Sequence, residues 1–155
     1  MSCSNNEKLG QAKILELNSY DKEDLYFPHD SSMNSDFILE NTFELRKDGE
    51  NILIVNNIND GFTGHYITLE LNSKLEIINA EYDELNDVID GSEMTFKVDS
   101  VDLKLNSNPF NSKNIIGYYS IFLTQNYFAG ELQEQGDKDE IFKREFKGKF
   151  KAFEK

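Results

Sequence analysis

Apolar and polar residues alternate along much of this chain, and a two-residue period is typical of strands with one buried face. The alternation is clearest in residues 141–153, where Arg144 is the one even position that is neither apolar nor small. Shorter stretches repeat the alternation, at residues 36–45, 66–71, 94–98 and 101–105. Residues 52–55 form a continuous aliphatic run, which is also consistent with a strand. The pattern therefore predicts a fold built mainly of strands.

Turn residues separate these strands. Asp48-Gly49 and Asn59-Asp60-Gly61 lie between apolar stretches, and Asx-Gly pairs adopt the positive φ angles that tight hairpins need. The alternation changes phase at Asp99-Ser100, which predicts a bulge or a tight corner. Residues 114–124 are rich in Ile, Tyr and Phe on both faces, which predicts a central strand covered on both sides.

One segment has helical spacing instead. Asp83 is a plausible N-cap, the apolar residues 85, 88 and 89 follow at i, i+3 and i+4, and Gly91 is a plausible stop, so residues 83–91 predict one short helical turn. We therefore expect an all-β fold, an antiparallel β-sandwich or small barrel of about nine strands with one short helix. The expected organisation is a flexible N-terminal tether, residues 1–10, followed by a single antiparallel β domain, residues 11–155.

Charge excludes some partners. The 155 residues include 16 Lys and Arg against 29 Asp and Glu, a net charge of −13, which argues against a nucleic-acid binder and against membrane attachment by charge alone. Residues 142–155 contain six basic and two acidic residues, a net +4, while the other 141 residues contain 10 basic and 27 acidic residues, a net −17. This final strand is interpreted either as neutralising acidic neighbours or as a basic stripe for an anionic partner, formed by Lys143, Lys147, Lys149 and Lys151.

Candidate chemistry is sparse. The chain has one cysteine and two histidines, which form no metal-binding motif, so neither a metal nor another cofactor is predicted. His65 follows Gly64 at a strand start, and a lone strand histidine is usually structural rather than catalytic. An acidic cluster lacks the EF-hand spacing, so it is a solvated turn or a surface for a partner; its members are Asp83, Glu84, Asp87, Asp90 and Glu93.

The N-terminus resembles a processed bacterial lipoprotein. Ser2 precedes Cys3, and the polar residues Ser4 to Lys8 follow it, as a small residue and a tether flank the lipid-modified cysteine of such proteins. The resemblance implies lipidation of Cys3, the only membrane attachment expected, and a location in the cell envelope, either periplasmic or at the surface. The alternative is a cytoplasmic protein with an incidental thiol.

Two functions follow from these observations. The first is a non-enzymatic binding protein of the bacterial cell envelope, whose ligand or protein partner the sequence does not identify. The alternative is an acidic immunity or inhibitor protein that caps a basic toxin or nuclease surface. The 12 Phe and 7 Tyr residues either fill the core or line a ligand pocket in a barrel.

Overall fold

The strands form one closed barrel. The computed structural model describes residues 7–15, 42–59, 63–86 and 91–155. These contain eight strands, in the order β1-β5-β4-β3-β2-β8-β7-β6 around the barrel. Their bounds are β1 Gly10–Ile14, β2 Thr42–Asp48, β3 Asn51–Asn59, β4 Thr63–Leu71, β5 Glu76–Asn86, β6 Glu93–Leu105, β7 Asn114–Phe128 and β8 Glu140–Glu154.

The all-β prediction is confirmed, and the barrel is the alternative that applies. The described residues hold eight strands rather than about nine. The helical turn predicted from Asp83 is wrong over residues 83–86, which belong to β5, while residues 87–90 lie outside the described residues. The helix within the described residues is instead a 3-10 helix, Gly130–Gln135.

Two short strands complete the ring of hydrogen bonds. β3, β4 and β5 form one antiparallel group, and β6, β7 and β8 form another. β1 lies between β5 and β6, and β2 lies between β3 and β8. β1 is parallel to β6 and β2 is parallel to β8, so the sheet is not purely antiparallel.

Strand register confirms one local prediction and corrects another. The pairing of β6 with β7 shifts between Val98 and Ser100, at the predicted bulge. The strand expected to be covered on both faces is β7, and only alternate residues of it are buried. Its outward side chains remain partly accessible, and Phe122 is 41% exposed.

The interior of the barrel is filled by side chains. Phe43, Tyr119 and Phe150 pack as an aromatic layer, with ring centroids of Phe43 and Phe150 4.6 Å apart. Gly117 and Gly148 make room for this layer, because a Cβ at Gly117 would lie 2.5 Å from the Phe150 ring and one at Gly148 would lie 2.6 Å from the Tyr119 hydroxyl. The aromatic residues of this layer therefore form core, with no room left between them for a ligand.

The two ends of the barrel differ. At the closed end, which carries the connections 49–50, 72–75 and 106–113, Pro109 is buried and Phe110 packs against the core. The opposite end, called the open end below, is where β3, β5 and β7 end and β4, β6 and β8 begin, and it carries the connection 129–139. Inward residues of β8 become more accessible towards it, from Phe150 (0% exposed) through Phe146 (6%) to Phe142 (41%).

Candidate binding site at the open end of the barrel

Polar side chains replace the apolar core near the open end. Each lies at an inward position of its strand, since alternate residues on the same strand belong to the core. The register of β4 with β5 pairs His65 with Glu84, and the register of β7 with β8 pairs Gln125 with Phe142. Together they form what we call the interior polar cluster: His65, Tyr82, Glu84, Gln125 and Arg144.

Arg144 is the centre of this cluster. Its Nη1 lies 3.3 Å from Glu84 Oε1 and donates a hydrogen bond of 2.6 Å to Gln125 Oε1. The guanidinium carbon sits 4.4 Å from the centroid of the Phe146 ring, in cation–π geometry. The Arg144 side chain is 33% exposed and that of Glu84 is 10% exposed, so the ion pair is shielded on the Glu84 side.

Hydrogen-bond direction along the cluster follows from Tyr82. Its hydroxyl donates to Glu84 Oε1 at 2.5 Å, and a tyrosine has one hydroxyl hydrogen. His65 Nδ1 lies 3.3 Å from the Tyr82 hydroxyl oxygen and must therefore donate to it, which places a proton on Nδ1. Burial and the bond to Glu84 raise the pKa of Tyr82 well above its usual range, so it remains a donor at physiological pH.

Part of the cluster's hydrogen-bonding capacity remains open. Among the described residues, no group pairs with Arg144 Nε or Nη2, or with Glu84 Oε2. The amide nitrogen of Gln125 points elsewhere, 3.1 Å from Met94 Sδ. Within the described part of the chain, the Arg144–Glu84 pair thus has two donor nitrogens and one acceptor oxygen without a partner.

The surroundings of the open end are acidic. The described residues 129–140 contain one basic residue, Lys138, against Glu131, Glu134, Asp137, Asp139 and Glu140. Of the predicted acidic cluster, Asp83 and Glu93 are exposed, and Asp87 and Asp90 lie outside the described residues. The prediction that Glu84 belongs to an exposed acidic surface is wrong, because its side chain points inward to Arg144.

The predicted basic stripe lies on the outward face of β8. Lys143 is 3.0 Å from Asp99, and Lys147 is 3.2 Å from Glu145 of its own strand. Lys149 Nζ lies 5.0 Å from the centroid of the Tyr118 ring, and Lys151, the fourth member, also has an interaction partner. Nearby acids therefore neutralise Lys143 and Lys147, and none of these acids comes from β7, the antiparallel neighbour of β8, which carries no acidic residue.

Metal sites and membrane-spanning helices were also sought among the described residues. No group of three His, Cys, Asp or Glu within the described ranges could hold a metal ion. Nor does any helix in that part of the chain have the length and apolar character to cross a bilayer. Cys3 and His29 lie outside the described residues.

Sequence reasoning identified Arg144 as a break in an apolar face but did not connect it with a partner. Tyr82 and Gln125 were missed entirely. A signal existed, because Tyr82 and Glu84 share a strand face, but the helical interpretation of residues 83–91 concealed it. The contact between Arg144 and Glu84 could not be predicted without knowing that β5 and β8 face each other across the barrel.

Comparison of this chain with protein-family models, with curated proteins and with solved structures gave no match. The candidate site is therefore interpreted from its own geometry and chemistry.

Proposed function

We propose that this protein is a non-enzymatic binding protein of the bacterial cell envelope, anchored through a lipid on Cys3. In this proposal the barrel holds a small ligand at its open end, where the interior polar cluster meets solvent. The Ser2-Cys3 junction supports the anchor, and the cluster supports the binding role.

The observation that carries the binding role is the Arg144–Glu84 pair inside a barrel whose core is mainly apolar. Removing two charges from water costs several kcal/mol per ion, and well-packed apolar residues commonly give equal or greater stability at such positions. The barrel has an apolar core already, formed by residues such as Phe43 and Phe150. A paired charge with unused donors and an unused acceptor is therefore better explained by recognition than by folding.

Binding is favoured over catalysis by the state of the cluster. Arg144 and Glu84 neutralise one another, and Tyr82 keeps its proton because its pKa is raised. Histidine is the side-chain type of this cluster that ordinarily exchanges protons near neutral pH, and the Nδ1 of His65 contacts the Tyr82 hydroxyl. Tyr82 instead fixes the orientation of Glu84, which is what a binding site requires.

The second candidate is an acidic immunity or inhibitor protein, and the acidic residues at the open end favour it. Carboxylates from Asp83, Glu93 and the connection 129–139 would face a basic protein surface and raise its rate of association. This candidate predicts binding to a cationic protein that weakens steeply between low and high salt. An affinity that does not change with salt would argue against it.

The anchor is tested by expressing the gene with its natural upstream sequence and feeding cells an alkyne analogue of palmitate. Wild-type protein is expected to carry the label and to partition into the detergent phase of Triton X-114. Cys3→Ser is the matched control and is expected to stay unlabelled in the aqueous phase. Wild-type protein without label would overturn the anchor.

The binding role is tested by native mass spectrometry of protein purified gently from the envelope fraction. We expect a bound small molecule on the wild type and on Lys143→Gln, whose change lies on the outward face of the same strand. The double variant Glu84→Gln/Arg144→Gln, which leaves no unpaired charge, is expected to lose it. A wild type without any adduct, or an adduct retained by the folded double variant, would contradict binding at the cluster.

A further inference from the structure

We propose that the open end of the barrel binds a free α-amino acid with an apolar side chain, its carboxylate on Arg144 and its ammonium on Glu84. This assignment rests on the proposed binding function and specifies the ligand class. It depends on three features of the cluster, which are its open hydrogen-bonding positions, its charge balance and its apolar surroundings.

The open positions are complementary to a zwitterion. Arg144 Nη1 and Glu84 Oε1 are 3.3 Å apart, so the two charged groups are direct neighbours, and Nε, Nη2 and Oε2 have no partner among the described residues. A guanidinium binds carboxylates through paired N–H donors, and a carboxylate oxygen accepts from an ammonium. The two charged groups of an α-amino acid are joined by a single carbon, so they can reach adjacent partners of opposite sign.

Charge balance excludes the simpler ions. A free anion would meet Arg144 but would be repelled by Glu84 and by the acidic residues of connection 129–139. A free cation would meet Glu84 but would face the guanidinium beside it. A molecule that is neutral overall and carries both charges satisfies the pair without opposing the surrounding field.

Apolar groups adjoin the pair. The guanidinium lies over Phe146, and Tyr82 packs edge-on against Phe96 with ring centroids 5.2 Å apart. Phe142, the next inward residue of β8 beyond Arg144, is 41% exposed. An apolar side chain on the ligand would cover this surface, while a polar one would gain little from it.

The test is calorimetric titration of the full-length protein with L-phenylalanine and L-leucine. Two analogues isolate the charges: N-acetyl-L-phenylalanine lacks the ammonium, and L-phenylalanine methyl ester lacks the carboxylate. The affinity for each analogue is expected to be lower than that for L-phenylalanine by about tenfold or more, because each analogue loses one charge-assisted hydrogen bond. Glu84→Gln and the double variant Glu84→Gln/Arg144→Gln should show the same loss, and Lys143→Gln should bind as the wild type does.

Several outcomes would overturn the assignment. Equal binding of either analogue would mean that the site selects one charge only, and no binding of any amino acid would reject the class. Circular dichroism and a thermal melt of each variant separate lost binding from lost folding. If the wild type retains an adduct in native mass spectrometry yet binds no amino acid, the ligand class fails while the proposed function stands.

Discussion

Single residues determine the chemistry of the open end. Arg144 interrupts the apolar face of β8. It can be recognised from the sequence, because a polar residue at an inward position departs from the alternating pattern of a strand. Its partner Glu84 could not be found in the same way. The helical spacing of residues 83–91 placed Glu84 on a solvated turn, and only strand pairing with β4 turns it into the barrel.

At this scale we predict that the ion pair is not needed for stability. Arg144→Leu should lower the free energy of unfolding by about 2 kcal/mol, because it leaves the shielded Glu84 carboxylate without its partner. The double variant Glu84→Leu/Arg144→Leu should recover most of that loss. Urea denaturation of the three proteins measures both effects, and a double variant less stable than the single one would contradict the prediction.

A second residue-scale prediction concerns Asp99. The Thr124 hydroxyl donates to its Oδ2 at 2.7 Å and Lys143 lies 3.0 Å away, and these contacts lower the pKa of the carboxyl. A lowered pKa adds stability above the usual aspartate range, and this is lost as pH falls through the folded-state value. Thr124→Val should raise the pKa of Asp99 in a carbon-13 NMR titration, and Lys143→Gln should raise it by less. Lys147→Gln, the control, should leave it unchanged.

At the scale of elements, alternation located β8 and the bulge in β6 because both depend on short-range pattern. The errors lie where long-range pairing or backbone conformation overrides that pattern. β5 continues through residues 83–86 because β4 pairs with it along its length. β7 ends at Phe128, and Gly130 beyond it has a φ of +57° where a Cβ would lie 2.1 Å from the Gly91 carbonyl oxygen.

The glycines beneath the aromatic layer give the element-scale prediction. Gly117→Ala should destabilise the barrel by about 1–3 kcal/mol, because the new Cβ meets the Phe150 ring and the Leu105 side chain. Adding Phe150→Leu should restore part of the loss by making room. Chemical denaturation is the measurement, with Gly49→Asn in an exposed turn as the control, since Asn tolerates a φ of +60°. A Gly117→Ala protein as stable as the wild type would contradict the prediction, because it would show that the aromatic layer is loosely enough packed to accept the extra methyl group.

At the scale of the whole molecule, the sequence indicated an all-β fold but not how the barrel closes. The two parallel pairings join β1 to β6 and β2 to β8, and no local pattern encodes which distant strands meet. The uneven distribution of charge along the chain is evident in the sequence. That several acidic residues lie at the same end of the barrel could be seen only once the strand topology was known.

The net charge of −13 leads to a prediction about salt. Repulsion among carboxylates opposes the compact state, and added salt screens it. We expect the melting temperature to rise between 20 mM and 200 mM NaCl, two conditions separated by about a factor of three in screening length. Glu134→Lys/Glu140→Lys should melt higher than the wild type at low salt and gain less from added salt. A melting temperature that falls with salt would contradict this account.

The parallel pairing of β2 with β8 also bears on the order of folding. Glu44 and Lys155 form an ion pair across 111 positions of sequence, so this junction forms between distant parts of the chain. Contacts of such separation are slow to form, and until they do, β8 is the outer strand of an incomplete sheet. A row of lysines on an edge strand discourages pairing with other chains. The lysines of β8 would then protect the chain from aggregation during the interval before the barrel closes.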